Sequence, residues 1–192
     1  MILGKLREKT AALHLAIEES TLLRHFKEKT ITLSTYSTIL HKFYGYYVPL
    51  EKALERHDNI SAYLPDYRTR TKVPLLSQDL ESLEKEKGGI PLEICPEIPS
   101  LATLSHAFGC LYVIEGSTLG GRIITKIVQD QFGIDVDSGG MYFHGYGPET
   151  GEKWKVFCQS LTDYALLTQE EDHIIEGANQ TFQTLKNWLE QY

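Results

Sequence analysis

The 192-residue sequence has few cysteines and no long hydrophobic run. Its three cysteines, Cys95, Cys110 and Cys158, are odd in number and widely spaced, which argues against a disulfide framework or a Cys-x-x-Cys metal site. The longest apolar run, near residues 111–114, is far too short to cross a bilayer. Residues 1–10 carry charges directly after three apolar residues, unlike the apolar core of a signal peptide. We therefore expect a cytoplasmic protein without a membrane span.

Basic side chains are also in the minority. The chain has 19 Lys and Arg against 26 Asp and Glu, and its net charge of −7 argues against a general nucleic-acid binder. Hydrophobic residues make up 42% and charged residues 23%, a balance typical of globular proteins. A chain of 192 residues can bury a sizeable core. We predict one domain over residues 1–192.

Apolar residues recur at helical spacing through most of the chain, and no convincing strand pattern is present. The pattern predicts helices over residues 3–17, 35–57, 73–86, 101–132 and 148–167, a short turning segment over 21–29, and a last helix that buries residues as far as Leu189. The predicted fold class is all-α.

Four signals predict where helices begin. Ser34 and Ser100 are the predicted N-caps of the second and fourth long helices. Pro148 suits the first position of the next helix, because its fixed φ is already helical. Thr168 and Glu171 have the spacing of a capping box before the last helix. These residues set the predicted helix boundaries.

Proline and glycine predict interruptions. Pro49 falls inside the helical pattern over 35–57 and should kink or divide it, because proline lacks an N–H. Gly88 and Gly89 are the predicted end of the third long helix, and Gly133 that of the fourth.

The segment over residues 105–127 is apolar enough to be a buried helix, yet it contains Gly109, Gly116, Gly120 and Gly121. Each glycine costs roughly 1 kcal/mol against alanine in a helix interior. At 100° per residue, the first three of these glycines fall on one face and leave the backbone bare. Such a face lets a second helix approach closely, or lets a flat ligand lie against the backbone.

Most catalytic signatures are absent. The sequence has no P-loop, dinucleotide fingerprint or His-Glu-x-x-His motif. Glu170 and His173 have the i, i+3 spacing of a di-iron carboxylate site, but the second Glu-x-x-His that such a site needs is missing. Acids in a first helical turn are also favoured by the helix dipole alone.

His14 lies beside Leu13 at the edge of the apolar stripe of the first helix, and we expect it to face inward. Such a histidine is usually a hydrogen-bonded core residue, but imidazole is also a metal ligand. If the first helix and the glycine-bearing helix clasp a flat macrocycle, His14 can ligate an iron on one side. The glycines would then permit close backbone approach on the other side.

Three stretches together resemble the bacterial haem oxygenases. They are LREKT at 6–10 running into Leu13-His14, LYVIEGSTLGG at 111–121, and FHGYG at 143–147 followed by Trp154. The similarity covers nearly the whole chain and is most specific in the Glu-Gly-Ser-x-Leu-Gly segment. It is closest to the branch that accompanies bacterial phytochromes.

The resemblance implies a helical bundle that holds haem, as cofactor and substrate, between the first helix and a kinked distal helix. It implies oxidative opening of haem to biliverdin, carbon monoxide and ferrous iron. O₂ and electrons from a ferredoxin, flavodoxin or reductase would be consumed, and a bacteriophytochrome is the implied biliverdin acceptor. The alternative is a haem carrier or sensor of the same fold without turnover, and a third reading is a helical module without haem.

The resemblance also implies roles for single residues. His14 is the implied axial ligand of the iron. The implied distal helix over the iron contains Gly116, Ser117, Gly120 and Gly121, and the other implied haem contacts are Arg7, Tyr112, Lys126 and Phe182. Relatives of the animal type carry an aspartate where this chain has Ser117, and serine can hydrogen-bond water but cannot hold a charge.

Overall fold

The computed structural model describes residues 1–84 and 93–191, and these residues form α-helices and short 3₁₀ turns without a β-strand. The all-α prediction is therefore confirmed. The helices are α1 (Ile2–Glu18), α2 (Arg24–Glu28), α3 (Leu33–Leu54), α4 (Ile60–Tyr63), α5 (Val73–Glu84), α6 (Leu104–Phe132), α7 (Met141–His144), α8 (Thr150–Thr168) and α9 (Glu171–Leu189). Within the described ranges, no helix is both long and apolar enough to cross a membrane.

Two predicted N-caps are wrong, each by a few residues. The cap of α3 is Thr32 rather than Ser34, because the Thr32 hydroxyl accepts the backbone N–H of Thr35 at 3.1 Å. The cap of α6 is Thr103, whose extended backbone and side-chain oxygen begin the helix three residues after Ser100. In both cases another hydroxyl residue close in sequence has the required geometry.

The predicted start of α9 is also wrong. Thr168 is the last residue of α8, and its hydroxyl donates to the carbonyl of Tyr164 at 3.0 Å. Gln169 then turns the chain with a φ of 58°, and the N-cap of α9 is Glu170, whose side chain makes no capping hydrogen bond. Pro148 lies in a 3₁₀ turn, and α8 begins only at Thr150.

The other predicted interruptions have mixed outcomes. Pro49 lies inside α3 without dividing it. Gly133 ends α6, as predicted, with a left-handed φ of 67° that favours glycine. The predicted end of α5 at Gly88 and Gly89 lies outside the described residues.

Helix α6 is the centre of the packing and contacts α7, α8 and α9, while α9 packs on α1. The α6–α9 crossing depends on two glycines. A Cβ at Gly109 would clash with the carbonyl oxygen of Ile174, and one at Gly177 would clash with that of His106. Gly109 therefore serves close helix packing. In this packing, α1 and the middle of α6 line one cavity.

Candidate functional site

A cavity of about 710 Å³ opens between α1 and α6, with further walls from α3, α7 and α9. Its volume is in the range of small-molecule and cofactor sites. Among the residues predicted as site residues, the cavity wall includes Arg7, His14, Tyr112, Gly116, Ser117, Gly120, Gly121 and Phe182. The tertiary structure thus brings together residues that are up to 175 positions apart, from Arg7 to Phe182.

On the α1 wall, the His14 side chain is 60% exposed and lines the cavity. It therefore faces the cavity and not the packed core. The Glu18 carboxylate lies 3.5 Å from Nδ1 of His14, one turn along the same helix. The ring of Phe182 contacts the imidazole edge-to-face with centroids 5.8 Å apart. A carboxylate at Nδ1 favours a proton there and leaves Nε2 with its lone pair for a metal.

The α6 wall is formed by bare backbone at Gly116 and Gly120. A Cβ at Gly120 would meet nothing within 4 Å, and one at Gly116 would meet only the Trp154 ring, at 3.6 Å. Gly121 differs, because a Cβ there would clash with the carbonyl oxygen of Phe143 on α7. The glycine row therefore has two uses, close packing at Gly121 and an open surface at Gly120.

Three hydroxyl groups meet at the cavity beside this glycine surface. Ser117 donates to the carbonyl of Ile114 at 2.7 Å, and the Tyr142 hydroxyl donates to that of Tyr47 at 3.3 Å. Ser117, Tyr47 and Tyr142 all line the cavity. Burial raises the pKa of Tyr47 and of Tyr142, so both remain neutral donors at neutral pH.

The α7 segment that carries Tyr142 is fixed by a buried carboxylate from α5. Asp79 accepts the backbone N–H groups of Met141 at 2.8 Å and Tyr142 at 2.7 Å. Burial raises the pKa of Asp79 to about 6, although these two hydrogen bonds oppose the rise. The position of Tyr142 in the cavity wall therefore depends on hydrogen bonds to Asp79, a carboxyl group that titrates near pH 6.

A buried charge cluster adjoins the start of the glycine stretch. The Glu115 side chain is 1% exposed and accepts hydrogen bonds from Arg70 at 2.5 Å, Lys72 at 3.1 Å and the Tyr146 hydroxyl at 2.9 Å. Lys72 and Tyr146 also line the cavity. Arg70 and Lys72 were not singled out from the sequence. The available signal was Glu115, because a carboxylate inside an apolar helical run requires buried cations nearby.

The remaining predicted residues have different surroundings. Tyr112 packs against Trp154, with ring centroids 5.7 Å apart. Lys126 lies outside this cavity on an exposed face, with its Nζ 3.7 Å from a carboxylate oxygen of Asp130.

His173, from the Glu-x-x-His spacing, stacks on the ring of His106. In residues 1–84 and 93–191, no group of three or more His, Cys, Asp or Glu residues is placed to hold a metal ion.

These walls fit a flat, iron-containing macrocycle. One imidazole with an available Nε2 lies on α1, and the open backbone surface at Gly120 lies on the other long wall of the same cavity. Aromatic rings such as Phe182 and Trp154 supply apolar surface, and Arg7 supplies a cation. A side chain at Gly120 would fill space that a planar ligand needs.

The family model described as heme oxygenase matches residues 2–191. The chain belongs to the haem oxygenase family. Haem oxygenases are haem-degrading enzymes for which haem is both cofactor and substrate. A comparison with curated protein sequences finds no significant match.

Solved haem oxygenase structures have the same fold. The enzyme from Leptospira interrogans is 18% identical with a TM-score of 0.79, and the match covers 100% of this chain and 99% of that one. The NO- and CO-bound enzyme from Neisseria meningitidis is 21% identical with a TM-score of 0.76, covering 98% and 90%. The enzyme from Synechocystis sp. PCC6803, in complex with haem, is 17% identical with a TM-score of 0.75, also covering 98% and 90%.

Proposed function

We propose that this protein cleaves haem oxidatively to biliverdin, carbon monoxide and ferrous iron, using O₂ and electrons. One observation carries the proposal: His14 and the open glycine surface of α6 line the same 710 Å³ cavity in a chain of this family. When bound, haem supplies the iron that binds O₂ and is also the molecule that is opened.

His14 would hold the haem iron from α1. The Glu18 carboxylate near its Nδ1 favours one tautomer and one ring orientation, which would leave Nε2 free to ligate the iron. Phe182 supports the ring from its side. Haem held by a neutral imidazole would supply an iron able to bind O₂.

The α6 wall would face the macrocycle from the side opposite α1. Gly116 and Gly120 would let a planar ligand approach the backbone closely, because no Cβ stands in the way there. Ser117, Tyr47 and Tyr142 place neutral hydroxyl groups at this wall. Their oxygens would accept hydrogen bonds from a bound water, and the Tyr47 hydroxyl would donate one. Gly121 contributes indirectly, by letting α7 pack closely.

Contacts to the haem edge come from Arg7 and Tyr112. Arg7 lies two turns before His14 on α1 and provides a cation for a propionate. Tyr112 adds an aromatic surface next to Trp154. Lys126 has no such place in the cavity wall, so the proposal does not depend on it.

The partners and setting stay predictions of the sequence. They are an electron donor of the ferredoxin, flavodoxin or reductase type, a bacteriophytochrome that takes up biliverdin, and a cytoplasmic location.

A haemin titration followed by reduction tests the proposal. Purified protein is titrated with haemin, and then ascorbate or a ferredoxin reducing system is added under air in the same cuvette. We expect a sharp Soret band that decays into biliverdin absorbance. A stable Soret band would instead indicate a carrier or sensor, and no band would leave the glycines with a packing role only.

A further inference from the structure

Glu115 pairs with two cations. It directly precedes Gly116 on α6, and its carboxylate pairs with Arg70 at 2.5 Å and with Lys72 at 3.1 Å. Arg70 is shared with a second carboxylate, because its Nε donates to Asp66 at 2.9 Å. The two cations also differ in position, since Lys72 lies in the cavity wall and Arg70 does not line it. Lys72 is therefore the cation of Glu115 that a cavity ligand can reach.

Lys72 is the cation of this cluster that also forms part of the cavity wall. Its side chain is 4% exposed. Nζ donates to the Tyr146 hydroxyl at 2.6 Å and to Glu115, and no acceptor for its third N–H is present in the part of the chain that the structure describes. The Tyr146 ring lies 4.4 Å from Nζ and fixes the ammonium from one side. One donor of a buried, immobilised ammonium is thus left for a cavity ligand.

Charged groups from several segments surround Lys72. They are Glu51 on α3, Asp66 and Arg70 before α5, Glu115 on α6 and Lys153 on α8. Burial lowers the pKa of Lys72, and the attraction of Glu115 opposes that fall. Arg70 does not release its proton in the accessible pH range. Of the two cations that pair with Glu115, Lys72 is therefore the one that can release a proton.

We propose that Lys72 is the proton donor of the cavity. An acceptor atom of the bound ligand takes the proton as the Nζ–H bond breaks, and Lys72 is left as a neutral amine that solvent reprotonates. No electrons are transferred in this step. The inference rests on the proposed function, because reduction of O₂ during haem opening consumes protons. The neutral hydroxyl of Ser117 is too weak an acid to supply them. Tyr146 and Glu115 act as positioning residues that hold the amine at the wall.

Two substitutions at Lys72 separate proton donation from charge and packing. Lys72→Met removes the acid but leaves Glu115 paired with Arg70 and Tyr146, so we expect it to fold. Lys72→Arg retains the positive charge but does not release its proton in the accessible pH range. Lys155→Met, an exposed position on α8, is the matched control. The readouts are the ¹⁵N titration of the Lys72 amine in haem-free protein, haem affinity, and the pH profile of biliverdin formation.

We expect the haem-free amine to titrate below pH 10.5, and the wild-type rate to fall as pH rises through that pKa. Both Lys72 variants should lose about 10²- to 10⁴-fold in rate, the usual contribution of a general acid, with haem affinity unchanged. Lys155→Met should match the wild type. Wild-type pH profiles in both Lys72 variants would overturn the proposal, as would rate losses that merely follow losses of haem affinity and thermal stability. Absence of biliverdin from the wild type would overturn the proposed function, before any variant is compared.

Discussion

Glu18 lies one helical turn after His14 on α1, with its carboxylate 3.5 Å from the Nδ1 of the imidazole. Both residues line the cavity. In the proposed function, this pair sets which nitrogen of His14 would face the haem iron, because a carboxylate at one ring nitrogen favours a proton there. Two predictions test the pair directly.

His14→Ala should weaken haem binding and abolish the spectrum of a histidine-ligated haem, because no second histidine lines the cavity in the described residues. Turnover should be poor and should recover when imidazole is added. The checks are a haemin titration and biliverdin formation with and without imidazole. Wild-type spectra and activity would remove His14 from the mechanism.

Glu18→Gln should lower haem affinity by about 10- to 100-fold while His14 still ligates the iron, as is usual when a partner of a ligating histidine is changed. The fold should be unaffected, since the Glu18 side chain is 56% exposed. Haem dissociation constants and circular dichroism measure the two effects. Glu8→Gln, on the exposed side of the same helix, is the control, and an equal loss there would contradict a specific role for Glu18.

Gly120→Ala and Gly121→Ala should have opposite effects on folding. A Cβ at Gly120 meets nothing within 4 Å, so alanine there should stabilise α6 by up to about 1 kcal/mol and impair haem binding or turnover. Alanine at Gly121 would clash with the Phe143 carbonyl and should destabilise the protein by about 1–3 kcal/mol. Urea unfolding of the two haem-free variants tests this. Equal destabilisation of the two variants would show that Gly120 also serves packing.

The bulkier Gly120→Val should impair O₂ activation more than folding.

Asp79 should make stability fall as pH rises from about 4 to about 6. The ordinary pKa of an aspartate is 3.8, and burial raises that of Asp79 to about 6 in the fold. The folded state therefore binds the proton more tightly, and the stabilisation is complete below pH 3.8 and lost as pH rises through 6. The loss amounts to about 3 kcal/mol at most, at 1.36 kcal/mol per pKa unit. Unfolding of wild type and Asp79→Asn across pH 4–7 measures it, and parallel curves would refute it.

The row of glycines shows how far sequence reasoning extends. The helical spacing predicted that Gly109, Gly116 and Gly120 share one face of a helix and leave its backbone bare. It left open whether a second helix or a ligand lies against that face. The structure divides the row: Gly109 packs against α9, and Gly120 opens to the cavity. That division depends on where α9 crosses α6, which no local pattern specifies.

The polar side of the cavity was the part that sequence reasoning missed. Tyr47, Lys72, Tyr142 and Tyr146 lie on three separate segments. Tyr146 belongs to the FHGYG stretch that carries the resemblance, but nothing in that stretch assigns it a role, and the other three residues lie outside the quoted motifs. Glu115 gave one usable signal, since a carboxylate inside an apolar helical run requires buried partners. It could not say which of the 19 Lys and Arg side chains these are.

The sequence by itself determined the helices, through the 3.6-residue period of its apolar positions, and the family, through His14 and the Glu-Gly-Ser-Thr-Leu-Gly segment. These are local properties, which a linear pattern records. Only the tertiary structure decided which glycine meets a helix and which meets the cavity, that Lys126 lies outside it, and that Lys72 lies in its wall beside Glu115. Those facts depend on how distant helices cross, because contacts between residues far apart in sequence form only when the whole core packs.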